Sequence, residues 1–216
     1  AHEFRNGLAT IHGYGRLIDP TMVPDHYRQY VRGIQDETES LGRIVDRFLM
    51  FARPTPLERA MVSLQEVAGS AVEDVRDDTA ARGGAIVLSG RFGSVEGDST
   101  LLRQAFSNLL RNGVEECAEA GVAPAIRFES EVDEAHRLTR IRIVDNGRGV
   151  PRGIRDRLFT PFFTTKASGT GLGLALVQKI IVSHDGRVRV GDAEGAGAVF
   201  EIELPLAQAF AVRQPG

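Results

Sequence analysis

At 216 residues the chain has room for two modest domains or one large one, and its 42% hydrophobic and 25% charged residues are those of an ordinary soluble globular protein. A formal charge of -3 gives nucleic acid no electrostatic foothold, and the lone Cys117 excludes an internal disulfide and, by itself, a zinc site; it reads as a small buried hydrophobe. No apolar run reaches the roughly 18 residues of a membrane span and no charged-then-apolar leader opens the chain, so the segment reads as cytoplasmic and free of membrane contact.

The first predicted element is a helix from Ala1. Its apolar positions Phe4, Leu8, Ile11 and Ile18, with Gly15 between the last two, step by four and three residues, the rhythm of a coiled-coil seam. Asp19-Pro20 stops it, because proline disfavours helical geometry in the residue before it. A second helix starts near Asp25 and carries the same rhythm through Tyr27, Val31, Ile34, Thr38, Leu41, Val45, Phe48 and Ala52, until Arg53-Pro54-Thr55-Pro56 breaks it. Two helices cannot hide both apolar stripes, so the hairpin is expected to pair with a second copy as a four-helix bundle, making the protein a homodimer. The motif-bearing helix begins with no cap or lead-in, which reads as a start inside a longer protein.

Beyond the prolines the pattern turns to helices mixed with alternating strands. We place an all-α helical hairpin at 1–53, a linker at 54–60, an α+β domain at 61–207 and a tail at 208–216. The spacing predicts helices over Leu64 to Arg82, Ser99 to Ala120 with Asp98 as N-cap, and Leu172 to Ser183, the last ended by Gly186 with His184 near its C-terminus. Strands are predicted at Ala85 to Leu88, Ala125 to Val132, Leu138 to Val144, Arg187 to Val190 and Ala198 to Leu204. Their late clustering and hairpin-like spacing point to a mixed or antiparallel sheet covered by helices on one face, a two-layer sandwich.

Four pieces of this domain carry chemistry. In Asn108-Leu109-Leu110-Arg111-Asn112 the asparagines lie four apart on one helical face, where amide oxygens can serve a hard cation such as Mg²⁺. The run Val144-Asp145-Asn146-Gly147-Arg148-Gly149 leaves a strand through a glycine-interrupted turn and sets one carboxylate beside backbone without side-chain bulk, where a flat ring fits. A long connection from Arg148 to Ser168 holds Phe159-Thr160-Pro161-Phe162-Phe163-Thr164-Thr165-Lys166, a candidate lid whose lysine and threonines would face phosphate. Gly169-Thr170-Gly171-Leu172-Gly173 then opens an apolar helix, so that backbone N–H groups can meet an anion at close range. Its spacing is wrong for a dinucleotide fingerprint.

In this order the four pieces resemble the N, G1, F and G2 boxes of histidine kinases, within the superfamily that includes gyrase, Hsp90 and MutL. The resemblance implies an ATP site in which Asp145 accepts a hydrogen bond from the adenine amino group and Asn112 ligates Mg²⁺. Lys166 and the loop Gly169, Thr170, Gly171, Leu172 and Gly173 contact the phosphates, with Asn108, Arg111, Gly147, Gly149, Phe163 and Thr164 completing the lining. Gly195-Ala196-Gly197 looks like the closing G3 element. Some kinases of this kind carry a basic residue a turn or two beyond the magnesium asparagine; here Glu115, Glu116 and Glu119 stand there, and Arg111 is the candidate substitute.

The opening Ala1-His2-Glu3-Phe4-Arg5-Asn6 resembles the H box of the same kinases and stands on the hairpin where the family places it. With Ala1 and Phe4 on the seam, His2 turns away from it. A neutral imidazole offers a lone pair at pH 7 without needing a base, and Glu3 is the candidate partner for its other ring nitrogen. Asn6, one turn on, is where the family positions water to hydrolyse phosphoryl from its partner. The expected activity is autophosphorylation of His2 from Mg-ATP and transfer to an aspartate of a response regulator, with the lid closing and the second domain swinging about the proline linker. The alternatives are weaker. A gyrase- or Hsp90-type ATPase clamp uses a glutamate base four residues before the magnesium asparagine, where this chain has Asn108. A serine kinase of the anti-sigma-factor type lacks the hairpin, and a catalytically dead scaffold would lack motif residues that are all present. His12 reads as structural, His26 as a helix-start residue and His136 as part of a polar connection, while Gly7 stands where the family often has proline.

Overall fold

The computed structural model describes residues 2–52, 57–166, 169–193 and 195–207, with the side chains of 2–6, 8, 43, 46, 47, 50 and 52 outside that description. The chain divides into two compact units, Ala1–Thr55 and Pro56–Gly216. Among the described residues no helix is long and apolar enough to cross a membrane.

The first unit is a hairpin of α1 (His2–Leu17) and α2 (Asp25–Ala52). Its connection is tied by the Asp19 carboxylate, which accepts from the Thr21 amide at 2.8 Å and the Thr21 hydroxyl at 2.7 Å. Across the hairpin, Gln35 Nε2 donates to the Gly15 carbonyl at 2.7 Å, and a Cβ at Gly15 would meet Gln35 Cγ at 3.5 Å, an ordinary contact. Val31, Gln35, Thr38, Gly42, Val45 and Leu49 form the better-covered face of α2, while Tyr27, Ile34, Leu41, Ile44 and Phe48 stay exposed. The apolar rhythm therefore splits into two stripes, and only one of them is covered within a single chain.

The second unit runs β1 (Ala60–Ser63), α3 (Leu64–Glu73), α4 (Arg76–Ala81), β2 (Ala85–Gly90), β3 (Ser94–Gly97), α5 (Ser99–Glu119), β4 (Ala125–Asp133) and β5 (Leu138–Val144). A 3-10 helix (Arg152–Arg157), α6 (Gly173–Ser183), β6 (Arg187–Asp192) and β7 (Ala198–Pro205) complete it. The main sheet has the order β2-β4-β5-β7-β6, with β2 and β4 parallel and the remaining neighbours antiparallel. Alternation then sorts the side chains. Ile126, Phe128, Ile141, Ile143, Phe200, Ile202 and Leu204 are buried with Leu102, Phe106, Leu109, Leu110, Val177 and Ile181 of α5 and α6. Phe106 and Phe128 meet edge to face at 5.3 Å. On the other face Arg142 bridges Glu129 and Glu201, at 3.2 and 3.8 Å, and stays half-exposed. The result is the expected two-layer α+β sandwich.

One expectation is corrected, and two strands were not foreseen. The helix predicted over Leu64 to Arg82 is broken at Asp74-Val75, where Asp74 closes α3 with its backbone N–H on the Ser70 and Val72 carbonyls. The strands β1 and β3, which pair antiparallel from Ala60↔Gly97 to Ser63↔Ser94, are too short for alternation to reveal them. Asp98 caps α5 as expected, accepting from the Thr100 and Leu101 amides at 3.0 and 3.1 Å. Residues 53–56 of the linker and the tail at 208–216 lie outside the described residues.

Candidate nucleotide site

Asp145 follows the last residue of β5 and is 5% exposed. Its Oδ1 accepts from the Gly147 amide at 2.9 Å and the Ala198 amide at 3.2 Å, while its own N–H donates to the Ala198 carbonyl at 3.0 Å. Burial pushes the carboxyl above the usual aspartate range, against the pull of these two amides and of Lys166. Among the described residues Oδ2 takes no hydrogen bond, so one half of the carboxylate is held and the other is offered.

Glycines clear the space around it. A Cβ at Gly197, where φ is 106°, would fall 1.9 Å from the Asp145 carbonyl oxygen, and one at Gly149, where φ is 74°, would fall 2.7 Å from the Gly197 carbonyl. Gly147 backs onto Glu116 of α5, and Gly113 of the same helix faces the Asp145 Cβ, at 3.3 Å from its own would-be Cβ. The G1-like turn and the G3-like turn are thus packed backbone to backbone around one carboxylate.

Sequence reasoning missed Asn146. Its Oδ1 accepts from the Ala125 amide at 2.8 Å and from the Cys117 thiol at 3.1 Å, and its Nδ2 donates to the Ala123 carbonyl at 3.0 Å. One amide therefore ties the strand end carrying Asp145 to the loop after α5. No spacing signal marks it, because its partners lie more than twenty residues away in sequence. Cys117 itself is buried, and burial raises its thiol above the ordinary value.

On α5, Asn108 and Asn112 are both partly covered. The Asn112 Oδ1 accepts from Lys166 Nζ at 3.2 Å, and the same ammonium reaches Glu115 at 2.7 Å and Glu116 at 3.2 Å. Burial alone would lower the lysine, yet the Glu115 and Glu116 carboxylates raise it above the ordinary value. Arg148 in turn bonds Glu116 at 2.8 and 3.1 Å and also pairs with Glu119. The acidic run is thus not a solvated face: it grips Lys166 from the long connection and Arg148 from the Asp145 turn. Arg111 is exposed, and its charge acts on Asp74 at the end of α3.

The glycine-rich loop is shaped by contacts with the connection that precedes it. Thr164 Oγ1 accepts from the Lys166 amide at 3.1 Å, and a Cβ at Gly169 would lie 2.3 Å from that oxygen. Gly171, at φ 66°, leaves no room for a Cβ against the Phe162 backbone and accepts from the Phe162 amide at 3.0 Å. Phe163 lies under the Arg157 guanidinium, 4.6 Å from the ring centroid. Leu172 is buried and begins α6 with no side-chain cap, in contrast to the capped starts of α3 and α5, and nothing comes within 4 Å of a Cβ at Gly173. The first amides of α6 are therefore left to an anion or to water. No hydrogen bond joins Asn108 or Thr170 to the other candidates among the described residues. The side chains of His2, Glu3 and Asn6 lie outside the described ones, although their backbone is the first part of α1.

Comparison with known proteins places both units. The family described as "Histidine kinase-, DNA gyrase B-, and HSP90-like ATPase" matches residues 97–208, and the "His Kinase A (phospho-acceptor) domain" matches residues 1–57. The chain is similar to the signal transduction histidine-protein kinase AtoS of Escherichia coli strain K12, 34% identical over 95% of this chain and 34% of AtoS. It is also similar to the sensor histidine kinase ZraS of Salmonella typhimurium, 32% identical over 95% of this chain and 44% of ZraS. The chain thus spans less than half the length of these relatives. Among solved structures it resembles full-length ShkA in complex with AMPPNP, with a TM-score of 0.77, 28% identity, and coverage of 96% of this chain and 45% of that one. It also resembles ThkA in complex with the response regulator protein TrrA, with a TM-score of 0.68, 26% identity, and coverage of 95% and 59%.

Proposed function

The chain belongs to the sensor histidine kinases of two-component systems, with a phosphoacceptor hairpin followed by an ATPase domain, and on that premise we propose that it binds Mg-ATP, phosphorylates His2 and passes the phosphoryl group to an aspartate of a response regulator. The observation that carries the nucleotide part is the Asp145 carboxylate, buried in a glycine-cleared turn with Oδ1 held by two amides and Oδ2 left for a donor. The adenine amino group is such a donor. The uncapped start of α6 and Lys166 suit the phosphates, and the Asn112 amide oxygen suits a divalent ion. Among the described residues no three acidic, histidine or cysteine side chains form a metal cage, so Mg²⁺ here would be shared between Asn112, phosphate and water. Bound there, it would neutralise charge on the triphosphate.

In the transfer, a ring nitrogen of His2 forms a bond to the γ-phosphorus as the bond to the β,γ-bridging oxygen breaks, ADP leaves and the ring loses its proton. Glu3 is assigned the other ring nitrogen, which fixes the tautomer and stabilises the cation that forms. Exposed seam residues of α2 make a homodimer the natural assembly, and Asn6 is assigned the positioning of water for a phosphatase reaction. The segment is assigned to the cytoplasm, as the kinase part of a longer protein. Water-driven hydrolysis of the clamp type is disfavoured by Asn108, since an amide cannot take up a proton at neutral pH.

The test is incubation of the chain with γ-labelled ATP and Mg²⁺, with His2→Gln and Asn112→Ala in parallel. Label is expected on the native chain, none on His2→Gln, and strongly reduced label with weaker ATP binding in Asn112→Ala. Label that persists on His2→Gln overturns the assignment of His2.

A further inference from the structure

We propose that Glu115 is a nucleotide-selecting residue: it occupies the Lys166 donor that a phosphate oxygen would otherwise take, and so favours a triphosphate that arrives with a divalent cation over one that arrives bare. This deepens the ATP site proposed above and rests on it.

An ammonium has three donors. Lys166 directs them at Glu115 Oε2, Glu116 Oε1 and Asn112 Oδ1, at 2.7, 3.2 and 3.2 Å. Nothing remains for a phosphate oxygen, so nucleotide binding requires Lys166 to exchange a partner. The three partners differ in how easily they leave. Glu116 is 19% exposed at its side chain and is also held by Arg148. Glu115 is 46% exposed and has Lys166 as its one ion-pair partner among the described residues, so its carboxylate can return to water at little cost. The exchange therefore runs through Glu115.

The same cluster sets a charge threshold. Lys166 and Arg148 supply two positive charges against three negative ones on Glu115, Glu116 and Glu119, a net of one negative at the phosphate end. A bare triphosphate meets repulsion there, whereas a bound divalent ion removes half or more of its charge.

The experiment is calorimetric titration of the full chain with Mg-ATP, with ATP in EDTA, and with adenosine, for the native protein, Glu115→Gln, Lys166→Gln and the double variant. Glu115→Gln is expected to bind Mg-ATP about two- to fivefold tighter, the range of one part-exposed ion pair, with a larger gain for ATP in EDTA and none for adenosine. In the Lys166→Gln background the gain should vanish. The proposal is overturned if Glu115→Gln binds both forms of ATP no tighter than the native chain, if adenosine gains equally, or if the gain survives loss of Lys166. Glu115→Ser carries the same expectations should the glutamine variant not fold. A native chain that binds neither adenosine nor ATP would instead remove the nucleotide site itself, a distinct result.

Discussion

His184 Nε2 accepts a 2.9 Å hydrogen bond from the backbone N–H of Asp98, joining the end of α6 to the residue that caps α5. The other ring nitrogen lies 2.7 Å from the Ile180 carbonyl, which can only accept, so Nδ1 carries the proton and the imidazole is neutral. The ring is 3% exposed and fills the space beside Gly97, where a Cβ would lie 2.4 Å from its Cδ2.

His184→Ala is therefore expected to leave a buried amide without a partner and a void between the two helices that carry the nucleotide site. The loss should be about 1–3 kcal/mol, read as a lower urea midpoint with an unchanged slope. His184→Gln, whose amide oxygen can still accept from Asp98, should recover part of it.

Asp145→Asn separates recognition from folding. The amide oxygen can keep the bonds from Gly147 and Ala198, but the group replacing Oδ2 is now a donor facing the donor of an adenine amino group. ATP affinity should fall by about 2–3 kcal/mol, on the order of a hundredfold, while the melting temperature at neutral pH should not fall. Calorimetry and thermal unfolding on the same sample check both halves.

Asp145 also sets a pH dependence with two opposite signs. Burial raises its pKa in the folded chain, Glu116 adds to that, and the Gly147 and Ala198 amides and Lys166 oppose it. Stability contributed by the protonated carboxyl is therefore fully present below the unfolded aspartate value and is lost as pH rises through the raised folded one. With the proposed adenine contact, nucleotide binding should run the other way, because a protonated carboxyl offers a donor to a donor. ATP affinity should begin to fall on acidification at a higher pH than an ordinary aspartate would give. Asp145→Asn should flatten both profiles, measured as melting temperature and dissociation constant against pH.

How much of this was legible in the sequence depends on the range of each interaction. The carboxylate and its glycines sit within one short turn, and the helix starts carry their own caps, so Asp145 and Asp98 could be read directly. The break of the predicted long helix could not, because Asp74 is held from outside it. Arg103 and Ser107 of α5 bind its carboxylate, the latter at 2.7 Å, across a separation of about thirty residues. The grip of Glu115 on Lys166, fifty-one residues apart, is illegible for the same reason.

That Asp74 contact yields a stability prediction of its own. Arg103 and Ser107 hold the carboxyl below the usual aspartate range despite some burial, so the stability it contributes is present above the unfolded value and is lost as pH falls through the depressed one. The pair is largely in solvent, and screening keeps the effect small. Asp74→Asn should lower the melting temperature slightly at neutral pH, less in high salt, and converge with the native chain in acid.

Gly197 and Gly69 make a matched pair of opposite sign. Gly197 stands at φ 106° with a would-be Cβ 1.9 Å from the Asp145 carbonyl oxygen, so an alanine there must both enter a backbone conformation L residues avoid and push apart the turn that holds Asp145. Gly69 lies inside α3 with nothing within 4 Å of a Cβ, so alanine there only removes freedom from the unfolded chain and improves the helix. Gly197→Ala is expected to destabilise by several kcal/mol and to abolish ATP binding, whereas Gly69→Ala should stabilise by about 0.5–1 kcal/mol and leave binding untouched. Chemical unfolding of the two variants beside the native chain decides it: a Gly197→Ala protein that keeps native stability and affinity would mean that the two turns are not packed as described.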